Sequence, residues 1–331
     1  MRGDCMTDLP HSPREHLRRP ETRAALAIQN QILVATREYL AERDFTELLP
    51  PVIGPVTDPG SRGAKQVDID YYGHRYKLMT SVILYKQAAL LTFDKIFYIA
   101  PNIRLEPPET FSTHRHLTEF HQIDVEIAGA SRDDAMAVAE GITRHAVRRV
   151  VDRAGAELAA LGRSPDAFFD LVAAPFDRVA HATAVADLHG FGVPQSPDAE
   201  LNWEAEKQLS RKASRPFFVT DYPKGSRGFY DREDPTIPGR LRNFDLLAPE
   251  GFGELASGGE REFEYPRLVA RMRETGENPA KYAWYLDMAR HGIPGSAGFG
   301  LGAERLTRYI AGLDSIWQAT AYPKLPGVVS P

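Results

Sequence analysis

Between about Thr22 and Asp44 the apolar positions Ala25, Ile28, Ile32, Ala35, Tyr39 and Leu40 recur at helical spacing in a run free of Pro and Gly, which predicts an amphipathic helix. The pattern stops at LLPPVIGPVTDPG, where Pro50 and Pro51 end regular pairing and Asp58-Pro59-Gly60 signals a turn. YYGHRYKLMTS predicts a hairpin about Gly73, and VILYKQAALLTF a short helix. FDKIFYIAPNIRLE and HLTEFHQIDVEIAG read as two strands joined by the polar loop PPETFSTHR. A second helical stripe runs from about Asp133 to Leu161 through Met136, Val138, Ile142, Val147, Val150 and Val151. Residues from about 132 to 215 read as a helical insertion or appendage, with Pro and Gly breaks toward its end. PFFVTDYP, FYDRE, RNFDLL and GELASGGER are strand-like, and Tyr265 to Glu274 predicts a helix. In AGFGLGAERLTRYIAGL a glycine-rich turn leads into a last helix. Strands that follow one another through short connections predict an α+β fold, an antiparallel sheet with helices packed against it. Residues 1–20, with little periodicity, read as a flexible arm, which leaves 21–331 as one domain.

Composition narrows the class. With 331 residues, 43% of them hydrophobic and 26% charged, the chain is an ordinary globular protein, which excludes disordered and fibrous classes. A single cysteine, Cys5, excludes a disulfide framework and a Cys-based zinc site. No run reaches the roughly 18 to 20 apolar residues of a bilayer span, and the N-terminal segment lacks a signal peptide's apolar stretch, so the expectation is a cytoplasmic protein with no membrane contact. The net charge of -5 argues against a large non-specific nucleic-acid surface.

Candidate chemistry concentrates in two blocks. NIRLE and RHLTEFHQIDVE carry Arg104, Glu106, Arg115, His116, Glu119, Gln122, Asp124 and Glu126 on adjacent strands, several on one face. Charge at that density is a solvated strand face or the wall of a polar ligand site, because burial without a partner costs desolvation. Arg104 can grip phosphate or carboxylate in a forked geometry, and Phe120 offers a flat surface for a base. In the second block, GFGLGAERL, the glycines serve either close packing or an anion site at a helix start, with Arg305 in the first turn.

Together these blocks resemble motifs 2 and 3 of class II aminoacyl-tRNA synthetases, and FTELLPPVIGP resembles their motif 1. RHLTEFHQIDVE and GELASGGERE are similar to the aspartyl/asparaginyl subgroup. TDPGSRGAKQVDIDYYG, PNIRLE and YAWYLDMARHG are similar to its stand-alone asparagine-synthetase paralogues, best known from archaea, which lack an anticodon-binding domain. The likeness runs from about residue 22 to 327 and thins across 160 to 215. It implies a class II catalytic core and an AMP-forming carbon-nitrogen ligase that uses ATP and Mg²⁺. On that resemblance Arg104 bridges the ATP α-phosphate and the carboxylate being activated, Arg115 and His116 reach the outer phosphates, Phe120 stacks on adenine and Arg305 covers its other side. Glu106 and Gly302 complete the ATP set, and Asp245 and Glu254 hold the metal. Ser81, Gln122 and Asp124 receive the substrate ammonium, Lys86 and Arg261 hold its side chain, and Arg290 joins the substrate set.

Two cations converging on a small pocket call for an anion, which makes the expected substrate aspartate or a close analogue. Aspartyl and asparaginyl synthetases carry an N-terminal OB-fold of about 100 residues, whereas about 20 residues precede motif 1 here. The expectation is therefore a homodimeric, tRNA-independent ligase that passes activated aspartate to ammonia or another amine. Three alternatives stand beside it: a minimal aspartyl/asparaginyl-type tRNA synthetase, an amide ligase for another acid and amine in a specialised pathway, and a non-catalytic regulatory paralogue. The chain departs from the subgroup at Pro294-Gly295-Ser296, where Pro-Pro-His is usual, and at Trp317 and Lys324.

Overall fold

A computed structural model describes residues 12–60 and 63–329. Among them the strands are β1 (Thr46–Glu47), β2 (Ile53–Gly54), β3 (Asp68–Tyr71), β4 (His74–Leu78), β5 (Lys95–Ile103), β6 (Glu119–Ala128), β7 (Asp177–Ala180), β8 (Phe217–Thr220), β9 (Asn243–Ala248), β10 (Gly253–Glu260) and β11 (Ser296–Gly302). The helices are α1 (Pro13–Arg18), α2 (Pro20–Ala41), α3 (Ile83–Ala89), α4 (Arg132–Arg153), α5 (Gly155–Ala160), α6 (Phe169–Ala173), α7 (His181–Gly190), α8 (Trp203–Lys212), α9 (Tyr265–Glu274), α10 (Ala283–His291) and α11 (Ala303–Ala311). Eight strands form one sheet in the order β1-β5-β6-β11-β10-β9-β8-β7, and β2-β4-β3 form a small second one. The interior of the large sheet is antiparallel, and its two edge strands, β1 and β7, pair in parallel. This is the α+β arrangement expected from the sequence.

Strand alternation decides which face is greasy. In β6, Ile123 and Val125 join the main core, while Gln122, Asp124 and Glu126 point to the other side. Ala297, Phe299 and Leu301 of β11 do the same, leaving Gly298, Gly300 and Gly302 opposite Glu126, Asp124 and Gln122. Helices α2, α4 and α11 cover the apolar face with Ile28 and Ile32, Ile142 and Val147, and Leu306 and Ile310, all within one core cluster. Burying each such side chain contributes about 1.5–3 kcal/mol, so this layer fixes the sheet and leaves its polar face free for a site. A capping box at Ser131 and Asp134 starts α4, and Gly312, at φ +68°, ends α11 in the left-handed conformation that suits glycine.

Three expectations need correction. The glycine run GFGLG is not a turn: Gly298, Gly300 and Gly302 lie in β11, and the helix begins at Ala303. Residues 1–11 of the supposed arm lie outside the described residues, and the rest is ordered structure. Ser12 caps α1, and His16 is buried with Nε2 against Thr320 O at 2.8 Å and its ring 5.5 Å from that of Trp317. Nor is 132–215 an appendage, because α4 packs between α2 and the sheet and β7 extends the sheet. The stripe that predicts α4 is real, and its partner is the core of the domain.

Candidate functional site

The polar face of β6, β10 and β11 forms the floor of one cavity, walled by Arg104 and Glu106 just beyond β5, the loop around Asp58, the start of α3 and the segment Ser226–Asp231. The floor is deep because of glycine. A Cβ on Gly300 would lie 2.8 Å from Gln122 Nε2 and 3.2 Å from Asp124 Oδ1, and one on Gly298 would collide with Val125 O and the Glu126 carboxylate. Nearly all the side chains singled out in the sequence line this space: Ser81, Lys86, Arg104, Glu106, Arg115, His116, Phe120, Gln122, Asp124, Glu254, Arg261, Gly302 and Arg305.

Two do not. Arg290 is exposed on α10, where it donates to the Tyr265 hydroxyl at 2.8 Å; it is not part of the site. Asp245 lies beneath the lining, almost fully buried, with Oδ2 accepting from Arg227 at 2.6 Å and Oδ1 without a hydrogen-bond partner.

One end of the cavity is rich in guanidinium groups. Arg104 Nε donates to Thr80 O at 3.0 Å, which holds its guanidinium 5.1 Å from the centre of the Phe120 ring. Arg305 pairs with Glu254 at 3.1 Å, and Arg115 with Glu206 of α8 at 2.7 Å. Burial, aided by the charges of Arg305 and Arg115, pushes His116 down to about 3, so it faces this end as a neutral imidazole, its Nδ1 2.6 Å from Thr113 Oγ1. Burial raises Glu106, opposed by Arg104 and Arg305. Burial likewise raises Asp245, and the neighbouring Glu254 charge adds to it, whereas Arg305 and Arg115 outweigh burial at Glu254 and hold it low. Burial also pushes Glu206 up to about 7 despite Arg115, with Glu254 and Asp245 adding to the rise.

The other end overturns the expected charge balance. Lys86 is buried and makes its contacts within the protein: Nζ lies 3.0 Å from Asp124 Oδ1, 2.9 Å from Phe299 O and 3.5 Å from Glu126 Oε2. Arg261 donates to Glu126 at 3.1 Å and to Asp231 at 3.3 Å, and the Ser296 hydroxyl to Glu126 at 2.8 Å. Two cations therefore meet three carboxylates, and Asp124 Oδ2 is left buried without a partner. Asp58 adds a fourth carboxylate at the wall, accepting from the Tyr230 hydroxyl at 2.8 Å. Burial pushes Asp231 up to about 6 even beside Arg261. Both cations are thus already engaged within the protein, and the argument from two free cations to a second substrate carboxylate does not hold.

Sequence reasoning missed Asp58, Arg227, Tyr230 and Asp231, which line the cavity, and Glu206 behind it. Glu126 was legible as a site residue, since it lies two positions after Asp124 on the same face of β6. Asp231 and Arg227 sit outside regular elements, where no periodicity marks their direction.

Among the described residues no three His, Cys, Asp or Glu side chains converge as a protein-only metal cage. Mg²⁺ ordinarily takes one or two carboxylates and completes its shell with substrate phosphates and water. The unpartnered Asp245 Oδ1 with the neighbouring Glu254 fits that smaller requirement.

The profile of the tRNA synthetases class II (D, K and N) matches residues 12–326. The asparagine–tRNA ligase of Pyrococcus abyssi is 34% identical over 316 residues, 96% of this chain and 71% of that protein, and the Thermococcus kodakarensis asparagine–tRNA ligase is 33% identical with 96% and 72% covered. The crystal structure of asparaginyl-tRNA synthetase from Pyrococcus horikoshii complexed with asparaginyl-adenylate superposes with a TM-score of 0.91 at 33% identity, covering 96% of this chain and 72% of that one. Relatives named for charging tRNA over nearly the whole chain overturn the expectation of a tRNA-independent ligase that joins aspartate to ammonia, and with it the expectation that tRNA takes no part. The matched profile, the relatives and the shared fold agree: the chain belongs to the class II tRNA synthetases of the D, K and N group, a family of ATP-dependent ligases.

Proposed function

We propose that the chain activates asparagine with ATP and transfers it to tRNA. One observation carries the choice of amino acid. At the amino-acid end Lys86 and Arg261 face Asp124, Glu126 and Asp231, five groups that sum to -1 before any ligand enters, and Asp58 at the wall adds a further carboxylate. An α-ammonium group neutralises that excess, and a carboxamide side chain adds no charge to it. Aspartate would bring a second carboxylate to a cavity whose cations are already engaged, and an uncompensated buried charge costs several kcal/mol. The names of the relatives favour the same amino acid and the same acceptor.

In this reading Asp124 Oδ2 and Asp231 take the ammonium, with Ser81 and Gln122 beside them. Asn102 Nδ2 donates to Gln122 Oε1 at 2.7 Å, so the Gln122 amide has its orientation fixed before substrate arrives. Arg104 sits between the two ends, where it would contact both the α-carboxylate and the ATP α-phosphate and stabilise charge that grows as the acyl-phosphate bond forms. Phe120 carries the adenine, and Arg115 and Arg305 meet the outer phosphates. Asp245 and Glu254 would hold Mg²⁺, which when bound supplies charge neutralisation on the phosphates. Alignment by fixed groups supplies most of the rate, since no side chain has to form a covalent bond. ATP and tRNA meet in the cytoplasm, where we expect the reaction to run.

Amino-acid-dependent exchange of pyrophosphate into ATP tests the first half-reaction, and acylation of total tRNA the second. Exchange with aspartate in place of asparagine would overturn the choice of amino acid. Asparagine activation with no transfer to tRNA would overturn the acceptor.

A further inference from the structure

We infer that Glu206, on helix α8, is a positioning residue that holds Arg115 ready for the ATP phosphates, an inference that rests on the adenylation reading above. The two side chains are almost wholly removed from solvent, with 8% and 6% of their surfaces exposed, and they form an ion pair with Glu206 Oε2 2.7 Å from Arg115 Nη2. Glu206 is not part of the cavity wall, whereas Arg115 is; the carboxylate stands behind the guanidinium and not in the ligand's place. The same oxygen, Oε2, accepts from Glu254 N at 3.1 Å, so Glu206 is itself fixed to the start of β10.

Two further features show the guanidinium to be placed. Gly253, at φ +74°, lies directly beneath it: a Cβ there would come within 2.9 Å of Arg115 Nη1 and 3.0 Å of Cζ. The positive φ by itself favours glycine there, and the missing side chain leaves the space that the guanidinium fills. The Arg115 Nε is buried without a hydrogen-bond partner, so the ion pair with Glu206 is the contact that fixes this guanidinium from behind. Arginine carries four side-chain torsions and loses substantial freedom when ordered. With Glu206 and Gly253 in place, that cost falls on folding and not on ATP binding.

The sign of the effect separates positioning from simple electrostatics. Removing a carboxylate close to the phosphates takes away whatever negative charge Glu206 carries, a fraction of one near pH 7, and this by itself would tighten ATP. Loss of positioning weakens it. Isothermal titration of ATP, which needs no turnover, is measured on the wild type, Glu206→Ala, Glu206→Gln, Arg115→Met and the Arg115→Met/Glu206→Ala double variant. Glu206→Ala is expected to weaken ATP about tenfold and Glu206→Gln about threefold. In pyrophosphate exchange both raise KM for ATP while KM for asparagine stays within about twofold. In the Arg115→Met background the Glu206→Ala substitution is expected to change ATP affinity by less than about twofold, because the residue acts through Arg115. Unchanged or tighter ATP binding in both Glu206 variants overturns the inference, as does a full tenfold loss that persists without Arg115. If Glu206→Ala fails to fold by circular dichroism, the Glu206→Gln affinity decides by the same criteria. Absence of amino-acid-dependent exchange in the wild type would count against the adenylation reading and leave the titration to judge Glu206 by itself.

Discussion

Replacing Lys86 with Met separates a substrate ligand from a structural counterion. Lys86 Nζ is 3.0 Å from Asp124 Oδ1 and 3.5 Å from Glu126 Oε2, and the three side chains expose 2%, 2% and 0% of their surfaces. Removing one partner of a buried pair leaves the other's charge uncompensated, at a cost of about 3–5 kcal/mol. Methionine keeps the volume, so a cavity adds little. Unfolding entropy of roughly 2.1 cal/mol/K per residue puts the loss at ~4–7 °C in Tm for a chain of this length. The variant would be followed by thermal and urea denaturation, together with pyrophosphate exchange against asparagine and aspartate. We expect the stability loss, a retained preference for asparagine, and still poorer use of aspartate, since the pocket becomes more negative by one charge. A stability change below about 1 kcal/mol combined with loss of activity toward one amino acid alone would refute the reasoning and make Lys86 the substrate ligand that its sequence position first implied.

Other consequences follow from the same geometry. Arg104→Ala removes the group between the two ends of the cavity, so exchange should fall by roughly 10²–10³ for every amino acid with little change in Tm. Gly300→Ala places a methyl 2.8 Å from Gln122 Nε2 and 3.2 Å from Asp124 Oδ1, side-chain ends that can yield. It should raise KM for asparagine at least tenfold and leave KM for ATP alone. Gly298→Ala meets backbone at Val125 O and should cost folding itself, seen as loss of soluble protein. Burial holds Asp231 up at about 6, so its charged form, needed for the ammonium, is lost as pH falls through that value. KM for asparagine should therefore rise between pH 7 and 5, and a flat profile would exclude Asp231 as the ammonium ligand. On stability the same shift acts the opposite way. The folded state binds this proton more readily than the unfolded chain, so the contribution is present at low pH and is lost as pH rises through about 6.

Local pattern carried the sequence a long way where one element holds the whole message. The alternation of β6 put Gln122 and Asp124 on one face and Ile123 and Val125 on the other, and the register with β11 only confirmed it. The helical stripe of α4 is equally plain, but a stripe says that a face is buried and not what buries it, so pattern alone does not distinguish a core helix from an appendage. Arg290 shows the converse. Its residue type suited a substrate ligand, yet on α10 it follows Tyr285, Leu286 and Ala289, which take the buried face and turn Arg290 to solvent.

What the sequence by itself determined was most of the order of elements, the fold family they spell, and the polar residues that gather in one cavity. Those features depend on spacing within a strand or helix, which covalent geometry fixes. What only the tertiary structure decided was the charge of the amino-acid pocket. Lys86 reaches Asp124 across 38 residues and Phe299 across 213, and Arg261 reaches Glu126 across 135. Whether a cation is free for a ligand depends on carboxylates that the folded sheet brings within about 3 Å, because Coulomb energy falls with distance in space and is indifferent to distance along the chain.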